Sequence, residues 1–403
     1  MRVLAAGAVT FLLMLTGLEA ASAATRPGSV GLVSFTAASY SRSTGTAGLT
    51  VDWYTASHAR SYEVFISRHY SMDNAKRYTT TASAKTFTGL ARGASYFVQV
   101  RARNGSAVGS KSARVGHTTI RRLDPAAGPR YRVMTYNVCS QKCSSWSTRQ
   151  PAALARIAAY SPDVIAAQEA VNLAVPPATG YAEAVSKSSK RLLYKTSRFT
   201  VAEPTTPVPA DPGENHVGCD RTWPKSTTGY VYLGYHDAGC RYAVWAVLVD
   251  RQTGQPTVFV DVHTVAGDNE TRAEQREAEI KTLTSHLTTI NPGGLPVVYA
   301  GDFNSHKNRD NDDMASVFHR LGYYDAFDLA LKLYRQHHNS YNGFDVVPRI
   351  SYKWGDHVDH VWIRPSEGRI ERWANGALIS NGRMVRPIPS DHSPIVVDVR
   401  LNR

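Results

Sequence analysis

The sequence is poor in the features that mark membrane, metal-cluster and disordered proteins. Beyond Leu15, no segment approaches the roughly 18 consecutive apolar residues of a membrane-spanning helix, so no transmembrane segment is expected. Cysteine is scarce, 4 in 403 residues. No Cys-x-x-Cys or His-x-x-x-His set accompanies the four, which leaves zinc ligation weakly supported. Acidic side chains are outnumbered, 33 against 46 basic ones. There is no internal repeat and no low-complexity tract. A make-up of 42% hydrophobic and 20% charged residues excludes wholesale disorder.

What is present begins with an export signal. Arg2 gives a minimal positive start, Val3 to Leu15 an apolar stretch, and Ala21-Ser22-Ala23 a small-residue cleavage site. Residues 1–23 therefore read as a signal peptide, and the protein as secreted and extracellular. The cysteines agree, because an even number suits two disulfides outside the cytoplasm. Cys139, Cys143, Cys219 and Cys240 allow three connectivities. Proximity in sequence favours Cys139–Cys143 and Cys219–Cys240.

The length suits two domains rather than one core. Residues 28–119 alternate with period two, as in Leu49 to Trp53, Tyr62 to Ile66 and Tyr96 to Val100, and glycines punctuate the runs. This predicts an all-β sandwich. It resembles a fibronectin type III module, an immunoglobulin-like sandwich: Trp53 stands where that family keeps a core tryptophan, and Leu90 followed by Tyr96 fits its tyrosine corner. The segment carries 11 Lys/Arg against 3 Asp/Glu, a local excess of +8 within an overall +13. Such a surface suits a polyanion (nucleic acid, an anionic polymer or acidic lipid) or a polysaccharide, or simply keeps the module soluble as a spacer. Residues 120–130, with Pro125, Gly128 and Pro129, read as a linker.

From Tyr131 to Arg403, strands alternate with helices. Arg132 to Tyr136, Val164 to Ala167, Tyr242 to Val249, Thr257 to Val262, Val297 to Ala300, Val358 to Ile363 and Ile395 to Val399 read as strands. One helix is predicted from Pro151 to Ser161, and another has Ala273, Ile280, Leu283 and Leu287 on one face and stops at Asn291-Pro292.

Residues suited to metal and phosphate chemistry recur at the strand ends: Asn137, Glu169, Asp261, His263, Asp302, Asn304, Asp359, Asp391 and His392. Their contexts, Met134-Thr135-Tyr136-Asn137, Ala166-Ala167-Gln168-Glu169, Gly301-Asp302-Phe303-Asn304 and Ser390-Asp391-His392-Ser393-Pro394, form an ordered series. On these motifs residues 131–403 resemble the endonuclease/exonuclease/phosphatase family, which includes deoxyribonuclease I-like nucleases, inositol polyphosphate phosphatases and bacterial sphingomyelinases. The resemblance implies an α/β (α+β) four-layered sandwich of two packed, mostly antiparallel sheets flanked by helices, separate from the N-terminal sandwich. It implies a divalent cofactor, Mg2+ with Mn2+ or Ca2+ as alternatives, held by Glu169 with Asn137 and Asp391. It also implies that Asp302 orients or deprotonates the attacking water, that Asn304 holds a phosphate oxygen, that His263 and His392 contact the scissile phosphate, and that Asp359 orients His392.

Physical chemistry agrees residue by residue. A carboxylate such as Glu169 at the end of an apolar strand is costly to bury unless paired or metal-bound. Asp302 and Asn304, two apart, project to one side while Phe303 packs to the other. His357 and His360 read as structural or rim residues, and His337 and His338 as solvated loop residues. One departure stands out. Deoxyribonuclease I-like members pair their middle histidine with an acid just ahead of the strand that here is Arg191 to Lys195, yet Ser186 to Lys190 holds none; Asp261 is the candidate substitute. The expected function is a secreted, Mg-dependent phosphoesterase acting on a phosphodiester, foremost a nuclease. A sphingomyelinase-like or phosphoinositide enzyme is the alternative; a sphingomyelinase should carry an exposed aromatic hairpin for membrane insertion, and Trp146, Trp223 and Gly322-Tyr323-Tyr324 give no clear pattern for one. A non-catalytic adhesion protein is the alternative of another class.

Overall fold

Side-chain alternation along short strands builds the architecture. In the computed structural model, which describes residues 24–174, 180–310 and 312–402, two sheets of seven and eight strands form the larger part of the chain. The signal-peptide reading of residues 1–23 lies outside the described residues. The first sheet runs Tyr181–Lys187, Lys190–Lys195, Val164–Gln168, Arg130–Asn137, Ile395–Leu401, Gly368–Asn375, Leu333–Tyr334. The second is centred on Gly239–Asp250, Pro256–His263, Val297–Asp302 and Asp359–Ile363. Most pairings are antiparallel; Arg130–Asn137 with Val164–Gln168, Pro256–His263 with Val297–Asp302, and Leu333–Tyr334 with Gly368–Asn375 are parallel.

Period two decides which residue goes where. Val133, Val164 and Ala166 of the first sheet meet Val244, Ala246, Phe259 and Val298 of the second in a shared core. Their neighbours Met134, Ile165 and Ala167 point outward, under helix α1 (Trp146–Tyr160) with its Ala153 and Ile157. On the far side Val258, Val260 and Tyr299 are covered by Ile280, Leu283 and Leu287 of helix α2 (Glu270–Ile290). The layers are thus helix, sheet, sheet, helix. Helix α1 starts five residues ahead of the Pro151 expected to open it, so that Pro151 lies inside the helix. Helix α2 is capped where the sequence suggested its stop, at Asn291, and Asn269 opens it by accepting from the Arg272 amide.

Residues 33–118 form two further antiparallel sheets around one buried core of Leu49, Val51, Trp53, Val64, Ile66, Val98 and Val100. The Trp53 ring meets Tyr62 edge-on at 5.3 Å, and the Tyr96 hydroxyl accepts from the Ala91 amide at 3.0 Å. This core is not separate. It runs without a break into the larger part of the chain. His117 lies 4.9 Å from Phe327, Phe97 lies 5.1 Å from Trp354, and the Ala38 amide donates to the Leu331 carbonyl at 3.1 Å. Gly116 has no side chain because a Cβ there would stand 2.4 Å from the Lys353 carbonyl oxygen. Ile120 and Ala126 are buried, so the segment 120–130 lies against the protein.

Candidate active site

Strand register gathers the polar residues at one end of both sheets. Asn137 pairs with Gln168, His263 with Asp302, and Asp302 with Asp359. Where the strands end, Asn137, His263 and Asp302 line a cleft of about 410 Å³ together with Glu169, Asn304, Asp391 and His392. The structure therefore brings eight of the nine strand-end candidates into one neighbourhood: seven line the cleft, and Asp359 stands behind His392, while Asp261 lies apart.

Asp302 is its floor. The side chain is 1% exposed, and its Oδ2 accepts from Asn137 Nδ2 at 3.1 Å. The same oxygen faces His263 Nε2 at 3.6 Å and His392 Nε2 at 3.7 Å. Its Oδ1 accepts from the Asn304 amide at 3.0 Å. The Gly-Asp-Phe-Asn sequence has a physical reading at each place. At Gly301 a Cβ would fall 2.1 Å from the Val262 carbonyl oxygen, so only glycine fits. Phe303 is fully buried in the layer under α2. Asn304 turns into the left-handed region at φ 48° and donates from Nδ2 to the Thr264 carbonyl at 3.0 Å.

Behind His392, Asp359 Oδ2 lies 2.9 Å from Nδ1 and fixes the ring. Burial alone would lower the His392 imidazole, but the carboxylates of Asp359 and Asp302 outweigh it and raise it to about 10. His263 goes the other way: burial, and then the cations Lys190 and Arg241, hold it well below the usual imidazole range. The two histidines on either side of Asp302 are therefore a cation and a neutral ring, environments that separate acid from base roles.

Glu169 follows the strand Val164–Gln168 in a left-handed conformation, φ 49°, which costs a non-glycine residue on the order of 1 kcal/mol. Its carbonyl is held by the Ser140 amide at 2.8 Å and the Ser140 hydroxyl at 2.7 Å. Lys142 Nζ stands 3.3 Å from its Oε1. Ser140 and Lys142 belong to the loop closed by the Cys139–Cys143 disulfide; Cys219 pairs with Cys240, so both proximity pairings hold. With Asn137 and Asp391, Glu169 offers oxygen donors only, a set that fits Mg2+, Mn2+ or Ca2+. Cys139 and Cys143 approach Asp391 closely enough to suggest a metal group, but both sulfurs are in the disulfide and offer no thiolate.

Two sequence expectations change, those for Asp261 and His337. Asp261 does not reach His263; its oxygens accept from Gln168 Nε2 at 2.6 Å and the Arg191 amide at 3.2 Å. Burial raises its carboxyl to about 7. Where an acid was sought ahead of Arg191 stands Lys190, 3% exposed and lowered to about 8 by burial. His337 is buried rather than solvated, and burial takes it down to about 3. His360 proves structural, its nitrogens 2.7 Å from Asp325 Oδ2 and 2.8 Å from the Ser305 carbonyl.

Sequence reasoning missed the cationic rim, Lys142, Arg241, Arg309 and Arg349. No local pattern marks these four. It also missed Arg149, which is 5% exposed and donates to the carbonyls of Cys139 (2.9 Å), Cys143 (3.0 Å) and Pro389 (2.7 Å), tying the disulfide loop to the segment before Asp391.

Solved structures share this architecture, and two of them illustrate it. An endonuclease/exonuclease/phosphatase family protein from Bacteroides thetaiotaomicron aligns with a TM-score of 0.51 at 17% identity, over 68% of this chain and 99% of that one. A mannosyl-6-phosphatase from the same organism aligns with a TM-score of 0.50 at 19% identity, over 67% and 99%. At such identities the likeness is one of fold. No curated protein sequence matches the chain. The sequence profile described as Endonuclease/Exonuclease/phosphatase family matches residues 134–392, more than half the chain and every residue of the cleft's floor, and the chain belongs to that family.

Proposed function

We propose that the protein is a secreted, Mg2+-dependent phosphodiesterase, foremost a nuclease acting on extracellular nucleic acid. Members of its family are phosphoesterases that act on substrates such as nucleic acid and generally use divalent metal ions. The observation that carries the reading is one buried carboxylate, Asp302, shared by Asn137, His263 and His392 at the floor of an open cleft rimmed by Lys142, Arg241, Arg309 and Arg349. A rim of cations attracts a phosphate backbone.

In this reading Asp302 orients water for in-line attack and takes its proton. His392, held cationic by Asp359, neutralises the charge that grows on the phosphate oxygens. Neutral His263 and the second amide hydrogen of Asn304 donate to the same group. Magnesium, when bound, supplies further neutralisation at the non-bridging and leaving oxygens, and Glu169, with Asn137 and Asp391, would hold it.

Residues 28–119 are read as a fibronectin type III-like module, supported by the buried Trp53 and the bonded Tyr96. The lipid reading has less behind it. Tyr323 is buried, Trp223 lies 6.3 Å edge-on to Tyr230, and the Trp146 indole donates to the Asn172 carbonyl at 3.0 Å, so these three are engaged in the protein's own contacts. The intact site speaks against a purely adhesive role.

The test is incubation of the secreted protein, with magnesium and with EDTA, against plasmid DNA, RNA, sphingomyelin and phosphoinositides. Magnesium-dependent plasmid nicking or RNA cleavage is expected. Release of choline phosphate with untouched nucleic acid would replace the nuclease with the lipid enzyme, and full activity in EDTA would remove the metal.

A further inference from the structure

The catalytic cleft does not end at its rim. Asp356 lines it and also lines a second cleft of about 770 Å³, whose other walls come from both parts of the chain: Asn308 and Lys353 on one side, Tyr70 and Arg114 on the other. Each of the two clefts carries an exposed tyrosine with a cation over its ring. Tyr341, 43% exposed, sits edge-on to His392 at 5.1 Å with Arg349 at 5.4 Å from its ring centre. Tyr70, 42% exposed, has Arg114 and Lys353 each 5.1 Å from its ring centre.

Tyr70 is held ready rather than loose. It lies in the loop between Ser61–Ser67 and Lys76–Thr80. Ser67 ties that loop, its hydroxyl donating to the Asp73 carbonyl at 2.6 Å and accepting from the His69 amide at 3.0 Å. Arg114 Nη1 donates to the Tyr70 carbonyl at 3.1 Å, and Phe97, itself against Trp354, backs the ring at 5.4 Å. An exposed ring on a fixed backbone, with Arg114 and Lys353 each over it at 5.1 Å, suits an unpaired base whose adjoining phosphates those cations can reach. Duplex DNA hides its base faces and cannot use such a platform.

We propose that a single-stranded polynucleotide lying in the catalytic cleft continues past Asp356 and Asn308 across the join. There it stacks a base on Tyr70 while Arg114 and Lys353 hold the adjoining phosphates. The N-terminal sheets thereby supply a substrate subsite. This rests on the nuclease reading given above.

The full-length protein tests it through steady-state cleavage of a single-stranded oligonucleotide long enough to reach from Asp302 to Tyr70. Hydrolysis of bis(p-nitrophenyl) phosphate serves as the measure of the bare site. Tyr70→Ala should raise the oligonucleotide KM about tenfold with kcat and the small diester unchanged, and Tyr70→Phe should keep the wild-type KM. Arg114→Gln and Lys353→Gln should each weaken binding and flatten its salt dependence; they carry the test if Tyr70→Ala lowers the melting temperature. An unmoved oligonucleotide KM in all three variants, with the wild type cutting normally, overturns the subsite and leaves the nuclease standing. A wild type that hydrolyses the small diester but neither binds nor cuts the oligonucleotide overturns both. Equal losses for duplex DNA or an anionic polysaccharide would make the surface a general polyanion site and overturn the single-strand assignment.

Discussion

At the scale of single residues, the site divides labour among groups that are chemically alike. Glu169, Asp302 and Asp359 are all carboxylates near the same cleft, yet one lines its wall beside Lys142, one sits under three polar partners, and one backs a histidine. Glu169→Gln, Asp302→Asn and His392→Ala should each cut turnover by about a hundredfold or more while the melting temperature stays near that of the wild type. Turnover close to wild type in any of them would remove that residue from the chemistry. Asp359→Asn should act differently. Asp359 is the foremost cause raising His392 against its burial, so the alkaline limb of the pH–rate profile should move toward lower pH. These four positions were legible in the sequence because each lies at a strand end with its motif around it. Lys190, Arg149 and the rim arginines were not, since a lone cation acquires its role only from what folding sets beside it. Asp261 misled because spacing of two fixes a shared side of a strand but not a shared partner; Gln168, on a strand of the other sheet, took its carboxylate.

At the scale of elements, the strands and turns fix how closely those residues approach. Gly301→Ala would force its new methyl against the Val262 carbonyl, and the shift needed to relieve it costs about 1–3 kcal/mol. Because Asp302 follows directly, the variant should lose both melting temperature and activity, read by thermal unfolding and turnover together. The Cys139–Cys143 loop has a different duty, presenting Ser140 to the Glu169 backbone and Lys142 to its carboxylate. Replacing both cysteines with serine should raise the magnesium concentration for half-maximal activity severalfold, with a smaller effect on saturated turnover. Strands with continuous apolar runs, such as Val164–Gln168 and Val297–Asp302, were readable because both their faces are buried. Gly368–Asn375 escaped notice because Arg369, Glu371 and Arg372 interrupt its apolar run with charge on the partly exposed face.

At the scale of the whole molecule, the chain was legible as two segments but not as one core. The apolar side chains that join them, Phe97, His117, Phe327 and Trp354, carry no signal of partnership in their own neighbourhoods. The join is rich in buried histidine. His357 lies 4.8 Å from Phe327 and 4.6 Å from Trp373, and burial, followed by the nearby His360, lowers it to about 3 from an ordinary 6.5. Its depressed value means that the unfolded chain takes up the proton first. The stability it lends is complete above pH 6.5 and is lost as the pH falls from there toward about 3, reaching a loss of about 2 kcal/mol at pH 5. His357→Leu should therefore show a smaller drop in unfolding free energy between pH 7.5 and pH 5 than the wild type, by about that amount, measured by urea denaturation. Gly116, pressed against the Lys353 carbonyl, carries the last consequence. Recombination that brought in another β-domain with any larger residue there would seat it badly, so an exchanged N-terminal half must present a glycine at this position to dock.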